Sequence, residues 1–380
     1  MTISYGKQSI DSQDVKRVIK SLKSNYLTQG PVVKEFEKKL AKNFKCKFST
    51  VLSNGSAALY IVGKILDWKA GDVIAVPPIT FISSVNSVEH CGAKPLFIDI
   101  NLNDYCMDPT KLEKELARDK KKKIKAAIIT DFGGQPAQWE KFYALKKKYK
   151  IILINDNCHA MGSSIKLDEG YAAKYADFAT LSFHPVKAIT TGEGGAILTN
   201  NKKMNEKATL LREHGIVRKN GRHWDYQVFN LGYNFRLPDL NCALGISQLR
   251  KLKKFVDRRK KISAIYDNLF SDKEKFIIPN KIKNTVNSYH LYPILINLKK
   301  IKKTKEKIIK EFLKNKIKLQ VHYIPINTQP FYKKKYGLNK NNYKNSILFF
   351  KSCVSLPIYY DLNDRQINYI KKICKKIFHI

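Results

Sequence analysis

A chain of 380 residues with a hydrophobic fraction of 43% can bury a large core and has the composition of an ordinary globular protein of two or three domains. Its net charge of +39 would suit a nucleic-acid-binding protein, but the lysines are spread along the whole chain. No basic tail, zinc finger, RNP-type pattern or P-loop accompanies them, which disfavours that class. No apolar run approaches the roughly 20 residues of a membrane span, and Met1–Gly6 lacks the features of a signal peptide, so we expect a cytoplasmic protein without a membrane partner.

The cysteines favour neither a disulfide framework nor a zinc site. There are seven of them, an odd number, and none forms a Cys-x-x-Cys pair. Cys158 and His159 stand beside Asp156, but no second cluster supplies the four ligands of a structural metal site. We therefore expect no bound metal.

Short apolar runs alternate with helix-length segments over residues 49–199. The predicted strands are Ser49–Leu52, Val73–Val76, Leu96–Asp99, Ala126–Thr130, Ile151–Asn155, Phe178–Phe183 and Ala196–Thr199. Helices are predicted between most of them, including Ala57–Leu66, Ile82–His90 and Gln138–Tyr149. Such alternation is typical of an α/β fold, in which a mainly parallel seven-stranded sheet is covered on both faces.

The remaining residues predict a second, smaller α/β domain. A periodic stretch over Asp239–Leu269 predicts one long helix that leaves the first domain. The elements predicted after it are a strand over Tyr289–Leu298, a helix over Thr304–Asn315, an extended segment over Gln320–Pro325, and helices near 343–352 and 364–377. We therefore predict a large domain over residues 1–250 and a small one over residues 251–380, bridged by the long helix.

Chemically useful side chains stand at or just after the predicted strand ends. In a parallel sheet these ends converge on one crevice, where ligands bind. The residues in question are Asn54, Phe81, Asp156, Ser182 and Lys187. Five such residues at one sheet edge are hard to explain by packing alone, so we predict a binding site there.

The turn Asn54-Gly55-Ser56 follows a strand and opens a helix. Free backbone N–H groups and the Ser56 hydroxyl could hold a phosphate at the helix N-terminus, with Ser182 as a second hydroxyl. The same triplet is also an ordinary capping turn, and the turn by itself does not decide between the two.

Lys187 lies on a loop between Pro185 and Gly192, 31 residues after Asp156. A lysine amine forms a Schiff base with the aldehyde of pyridoxal phosphate, and a carboxylate keeps the pyridine nitrogen protonated so that the ring can absorb charge. A lone lysine among 71 Lys and Arg is ordinarily a solvated surface residue. The acid one strand back and the loop setting favour the cofactor role.

Two further positions have two interpretations each, and a third site lies on a later loop. Phe81 could stack on an aromatic ring or belong to the core, and His159 could reach the cofactor or be a buried structural histidine. Asn234 and Arg236 form a polar pair on a loop before a helix. A loop so far along the chain would reach a phosphate most easily from a neighbouring subunit.

Several motifs, in order over nearly the whole chain, resemble those of the sugar aminotransferases of the DegT/DnrJ/EryC1/StrS family. They are Gly6-Lys7-Gln8, Leu27-Thr28-Gln29-Gly30-Pro31, the Asn54 turn, Pro78-Ile79-Thr80-Phe81, Asp156-Asn157-Cys158-His159-Ala160, the Lys187 loop and Gly232-Tyr233-Asn234-Phe235-Arg236.

The resemblance implies a fold-type I pyridoxal 5′-phosphate enzyme that works as a homodimer with shared active sites. Lys187 would be the catalytic Schiff-base lysine and Asp156 the partner of the pyridine nitrogen. The other implied cofactor contacts are Phe81 on the ring, His159 near the phenolic oxygen, Asn54, Gly55, Ser56 and Ser182 at the phosphate, and Asn234 from the other chain.

Within the family, the motifs are most similar to those of a subgroup in pseudaminic acid biosynthesis. This subgroup transfers the amino group of L-glutamate to C4 of a UDP-linked 4-keto-6-deoxy-N-acetylhexosamine. The residues matched to its substrate-proximal segments are Tyr5, His290, His322 and Tyr323. One departure is Ala188, where this subgroup often has histidine, but the lysine beside it is retained.

Three alternatives remain open. Relatives that dehydrate sugars carry histidine in place of the lysine, which Lys187 argues against. An aminotransferase for another nucleotide-linked keto sugar is the main competitor, because one sequence does not give the shape of a pocket. A basic nucleic-acid-binding protein is the alternative outside enzymes.

Overall fold

The computed structural model describes residues 2–218 and 224–380. The strands β1 to β14 are Phe48–Leu52, Val73–Val76, Lys94–Phe97, Ile124–Thr130, Ile152–Asp156, Ser164–Ile165, Phe178–Ser182, Gly195–Thr199, Ile216–Arg218, Tyr226–Val228, Phe276–Ile277, Thr285–Val286, Tyr292–Ile296 and Cys353–Leu356. The helices α1 to α15 are Ser12–Leu22, Pro31–Asn43, Gly55–Ile65, Ser83–His90, Pro109–Arg118, Trp139–Tyr149, Tyr171–Tyr175, Lys202–Arg212, Asp239–Leu249, Leu252–Leu269, Leu298–Ile301, Lys305–Lys314, Pro330–Tyr336, Lys344–Ser352 and Asp364–Phe378.

Seven strands form the large sheet in the order β1-β8-β7-β5-β4-β2-β3. Strands β7, β5, β4, β2 and β3 are parallel to one another, whereas β8 is antiparallel to both β7 and β1. The connection from β7 to β8 is a loop without a helix, and an antiparallel neighbour needs no crossover helix. The predicted mainly parallel seven-stranded sheet is confirmed.

Both faces of the sheet are buried. Successive strand residues point to opposite faces, and in β4 the side chains of Ala127 and Ile129 join one apolar core while Ala126 and Ile128 join the other. Strands with two buried faces are apolar throughout, which is why the short apolar runs predicted them.

The edge strand β3 begins at Lys94, two residues before its predicted start. Lys94 and Pro95 pair with Val73 and Ile74 of β2. A lysine and a proline do not form an apolar run, but both are compatible with the edge of a sheet.

A three-stranded sheet, β11-β13-β14, and a third apolar core lie in the C-terminal part of the chain. The predicted strand over Tyr289–Leu298 is shorter in the structure, because Tyr289 adopts a positive φ of 50° and Asn297 caps helix α11. The N-terminal residue Ile3 pairs with Ile317 and joins this third core. The division into domains near residue 250 remains a prediction.

The prediction of one continuous helix over Asp239–Leu269 is wrong. Two turn residues, Arg250 and Lys251, separate α9 from α10. Helix α9 packs against α1 and α2, whereas α10 buries Ile262 and Tyr266 in the C-terminal core. The first turns of α10 share an apolar core with α9 through Leu252, Phe255 and Val256, and its later residues reach the C-terminal core. Within the described residues, no helix is long and apolar enough to cross a membrane.

Candidate active site

A cavity of about 610 Å³ opens at the carboxyl ends of β4, β5 and β7. Thr130, Asp156 and Ser182 end these three strands, and the parallel pairing places Thr130 opposite Asp156. Twelve of the thirteen predicted site residues line the cavity: Tyr5, Asn54, Gly55, Ser56, Phe81, Asp156, His159, Ser182, Lys187, His290, His322 and Tyr323. The predicted convergence at one sheet edge is therefore present in the structure.

Lys187 enters the cavity from the loop that joins β7 to β8. Two hydrogen bonds to the Phe183 carbonyl close this loop at its base. One comes from the backbone N–H of Thr191 and the other from the hydroxyl of Thr190. Removal from water lowers the pKa of Lys187, and the nearby Cys158 and Asp156 oppose that shift. A lysine with a lowered pKa is a better base and nucleophile near neutral pH.

The Asn54 turn forms a close-fitting cradle at the N-terminus of α3. The Asn54 side chain accepts a hydrogen bond from Ala57 N at 2.8 Å, so the capping interpretation is correct, and the residue also lines the cavity. A Cβ atom on Gly55 would lie 3.0 Å from Ser182 Cβ, and one on Gly195 would lie 2.4 Å from the Asn54 carbonyl carbon. Both glycines are required for this approach of loop and strand, and the exposed N–H groups suit an anion.

His159 is held in one tautomer by the backbone. Burial, followed by the charge of Lys187, lowers the pKa of His159 well below its ordinary value, so the ring is neutral. Gly133 N donates to Nδ1 at 3.3 Å, and the ring proton therefore sits on Nε2, which lies 3.2 Å from Tyr323 Oη. With His159 donating to it, the Tyr323 hydroxyl can donate its own hydrogen to a ligand.

His290 and His322, together with His159, Tyr323 and Tyr5, form one wall of the cavity. The rings of His159 and His290 are 4.4 Å apart, and His290 Nδ1 is buried with no hydrogen-bond partner in the described residues. His322 Nδ1 lies 2.9 Å from Ser355 Oγ, and the edge of the Tyr5 ring packs against His322. Burial lowers the pKa of His290 strongly and that of His322 to about 3, so both rings are neutral at physiological pH.

Asn234 is the one predicted residue that does not line this cavity. It is exposed, and it forms an isolated antiparallel β-bridge with Glu213. The prediction that it serves a neighbouring subunit's site is not tested by a single chain.

Sequence reasoning missed several residues that line the cavity and one buried residue that contacts Asp156. The missed lining residues include Thr80, Ser83, Thr130, His184, Glu193 and Gln320. The buried residue is Ser84, whose hydroxyl donates to Asp156 Oδ2 at 2.7 Å. Thr80 and Ser84 lie within four residues of Phe81, so the end of β2 was a usable signal for both.

The residues fit pyridoxal 5′-phosphate. An acid, a lysine with a lowered pKa, a half-exposed phenylalanine and an N-terminal helix cradle all face one cavity. No group of three or more His, Cys, Asp or Glu residues able to hold a metal ion occurs in residues 2–218 and 224–380.

The sequence matches the DegT/DnrJ/EryC1/StrS aminotransferase family over residues 8–376. The chain belongs to this family. It is therefore an aminotransferase, and its cofactor is pyridoxal 5′-phosphate.

Relatives match over the full length. A UDP-4-amino-4,6-dideoxy-N-acetyl-β-L-altrosamine transaminase of Campylobacter jejuni (strain 81-176) is 39% identical over 97% of this chain and 96% of its own. Helicobacter pylori PseC, an aminotransferase involved in the biosynthesis of pseudoaminic acid, superposes with a TM-score of 0.93 at 30% identity over 100% of both chains. Spr1654 of Streptococcus pneumoniae in its PLP form gives 0.90 at 27% identity, over 100% of this chain and 99% of that one. The fold is thus that of fold-type I aminotransferases.

Proposed function

We propose that this enzyme transfers the amino group of L-glutamate to C4 of a UDP-linked 4-keto-6-deoxy-N-acetylhexosamine. The product would be UDP-4-amino-4,6-dideoxy-N-acetyl-β-L-altrosamine, and glutamate would leave as 2-oxoglutarate. Support comes from the Campylobacter relative, which matches 97% of this chain and bears the name of that transaminase. The observation that carries the proposal is that Lys187 and Asp156 face a single cavity of about 610 Å³, within the range of small-molecule sites.

In this proposal the bound cofactor supplies an aldehyde that takes up the amino group and a ring that absorbs carbanion charge. Lys187 Nζ removes the proton from Cα of glutamate and, in the second half of the reaction, delivers a proton to C4 of the sugar. Its lowered pKa, caused by burial, suits both directions of proton transfer. Asp156 balances the charge of the pyridine nitrogen, and Gly55, Ser56 and Ser182 hold the phosphate.

The wall formed by Tyr5, His159, His290, His322 and Tyr323 suits a neutral, hydroxylated ligand. Tyr5, His290, His322 and Tyr323 present aromatic surfaces together with hydrogen-bonding atoms, and the three histidine rings of this wall are neutral. Neutral imidazoles and a phenol can donate to or accept from sugar hydroxyl and keto oxygens without the desolvation cost of a buried charge. We assign these residues to the sugar.

We further propose a homodimer in which Asn234 completes the partner's phosphate site. Apolar side chains at Tyr226, Val228, Phe229 and Leu231 are each more than half exposed, just before Asn234 in sequence. A group of exposed large apolar side chains is typical of an interface, and burying these side chains would bring Asn234 close to the junction of two chains. A cytoplasmic location, predicted from the sequence, fits substrates of this class.

The direct test incubates the purified protein with L-glutamate and a panel of UDP- and dTDP-linked 4-keto sugars, and identifies the products by NMR. We expect C4 amination of the UDP-linked 4-keto-6-deoxy-N-acetylhexosamine, one 2-oxoglutarate per sugar aminated, and no turnover by Lys187→Ala. Preferential amination of another nucleotide sugar would establish the main alternative instead. No amination of any sugar would refute the proposal.

A further inference from the structure

Ser84 is buried beneath the cavity and bonded to the acid that faces it. It lies in the first turn of α4, its side chain is fully buried, and its Oγ donates to Asp156 Oδ2 at 2.7 Å. The other carboxylate oxygen, Oδ1, accepts a longer hydrogen bond from Cys158 N at 3.3 Å. The Ser84 hydroxyl therefore makes the shorter of these two bonds to Asp156.

The hydrogen bond belongs to a chain of hydroxyl groups. Ser84 Oγ lies 3.1 Å from Thr80 Oγ1, which in turn lies 2.8 Å from Thr130 Oγ1. Thr80, Ser84, Thr130 and Asp156 are each at most 3% exposed. These four side chains are thus almost entirely buried, and low surrounding polarity strengthens each bond.

Only one direction of donation is possible along this chain when Asp156 is ionised. A carboxylate can only accept, so the single Ser84 hydrogen is committed to Asp156. Ser84 must then accept from Thr80, and Thr80 must accept from Thr130. Each donor polarises the next, and the chain delivers positive partial charge to Asp156 Oδ2.

We propose that Ser84 is a positioning residue for the reaction, which orients Asp156 and keeps the proton shared with the pyridine nitrogen on the cofactor. The inference rests on the proposed role of Asp156. A hydrogen bond to a carboxylate stabilises its charged form and so weakens its affinity for a proton. The bound ring nitrogen then retains the proton and remains a strong electron sink. Without Ser84, Asp156 is freer to rotate and competes better for that proton.

The test compares holoenzymes reconstituted with cofactor labelled with ¹⁵N at the ring nitrogen. The variants are Ser84→Ala, Thr80→Val and Asp156→Asn, with Ser87→Ala as the matched control. Ser87 lies one turn along the same helix, is equally buried, and donates to the Ser84 carbonyl instead of to Asp156. The readouts are the ¹⁵N chemical shift, the rate of the half-reaction with glutamate, and the thermal midpoint of unfolding.

We expect Ser84→Ala to move the ¹⁵N shift toward that of an unprotonated pyridine and to slow the half-reaction about 10- to 100-fold, the range expected for a hydrogen bond to a charged group. Thr80→Val should move both readouts less, and Ser87→Ala neither. A wild-type shift and a rate within about twofold in Ser84→Ala, while Asp156→Asn changes both, would overturn the inference alone. An unchanged shift in Asp156→Asn would instead refute the role of Asp156.

Discussion

At the scale of single residues, one lysine carries the proposed chemistry, and its surroundings give it that capacity. Lys187 is one of 71 Lys and Arg residues, most of which belong to a strongly basic surface. Its loop places it beside Asp156 and Cys158 in a cavity that lowers its pKa. The position of its amine in the cavity distinguishes Lys187 from the other lysines.

Covalent trapping tests this assignment directly. Borohydride reduction of the holoenzyme should attach the cofactor to a single peptide, the one that contains Lys187, because its amine faces the cofactor cavity. Peptide mass spectrometry identifies the attachment point, and Lys187→Ala serves as the control that should remain unlabelled. Stoichiometric labelling of a different lysine would disprove the role of Lys187.

The neutral histidine wall makes the stability of the protein depend on pH. Burial lowers the pKa values of His159, His290 and His322 below the ordinary value near 6.5. At mildly acidic pH the unfolded chain therefore binds more protons at these histidines than the folded chain does. Stability is therefore full above about pH 6.5 and falls as the pH drops toward the lowered values. For His322, whose pKa falls to about 3, the loss in the free energy of unfolding between pH 7 and pH 5 should be about 2 kcal/mol, and His159 and His290 should add losses in the same direction.

Urea unfolding at these two pH values measures the effect. His322→Gln should reduce the loss between pH 7 and pH 5, because glutamine does not titrate, whereas His379→Gln, at an exposed position, should leave it unchanged. An equal loss in His322→Gln and the wild type would show that the acid sensitivity arises elsewhere.

At the scale of elements, the site depends on the meeting of a helix start and the start of an antiparallel strand. Strand β8 runs against β7, so its first residue, Gly195, lies at the same sheet edge as Ser182 and the Asn54 turn. A crossover helix between β7 and β8 would have removed the loop that carries Lys187. The antiparallel strand thus serves the site as well as the sheet.

Gly195→Ala tests this junction. Its Cβ would lie 2.4 Å from the Asn54 carbonyl carbon and 2.6 Å from Gly55 N, so the cradle backbone must shift. We expect at least about a tenfold weaker affinity for pyridoxal phosphate, measured by fluorescence titration of the apoenzyme, because a displaced N-terminus loses a hydrogen bond to an anion worth about 1.5–3 kcal/mol. Gly6→Ala is the control, since its Cβ would meet Val186 at an ordinary 3.4 Å. Equal affinities for both variants would contradict the close-contact argument.

At the scale of the whole molecule, the net charge of +39 bears on the proposed homodimer, whose interface we place at the exposed apolar side chains before Asn234. Like charges on exposed faces are screened within about 8–10 Å at moderate salt, so the charge does not prevent self-association. The proposed homodimer therefore depends on apolar burial, and its functional consequence is a shared active site.

Mixing two inactive variants tests sharing. Lys187→Ala and Asn234→Ala homodimers should each lose most activity, and heterodimers should regain one intact site of two if Asn234 acts across the interface. Activity assays on mixtures, with heterodimer formation confirmed by differently tagged chains, measure the recovery. Mixtures of Lys187→Ala with Asp156→Asn provide the control, because both residues line the same chain's cavity. Absence of recovery in confirmed heterodimers would refute the shared site and leave the aminotransferase assignment standing.

The sequence by itself determined the parts that depend on neighbouring residues. Apolar runs predicted the seven strands of the sheet, and the rule that parallel strand ends converge predicted one site for Asn54, Phe81, Asp156, Ser182 and Lys187, which all line the cavity. Most of the other cavity residues were predicted from the family resemblance of the motifs. These signals are local, because strand period, helix capping and glycine requirements act over a few residues.

Only the tertiary structure decided the contacts between distant residues. Ser84 and Asp156 are 72 positions apart, and Tyr323 and His159 are 164 apart, so no local pattern predicts that they share hydrogen bonds. Helix α10 likewise passes from the core that it shares with α9 into the C-terminal core, and its local apolar period does not predict which remote elements it meets there. Side-chain chemistry is written in the sequence, whereas burial, tautomer and proton affinity arise only when remote elements pack together and exclude water.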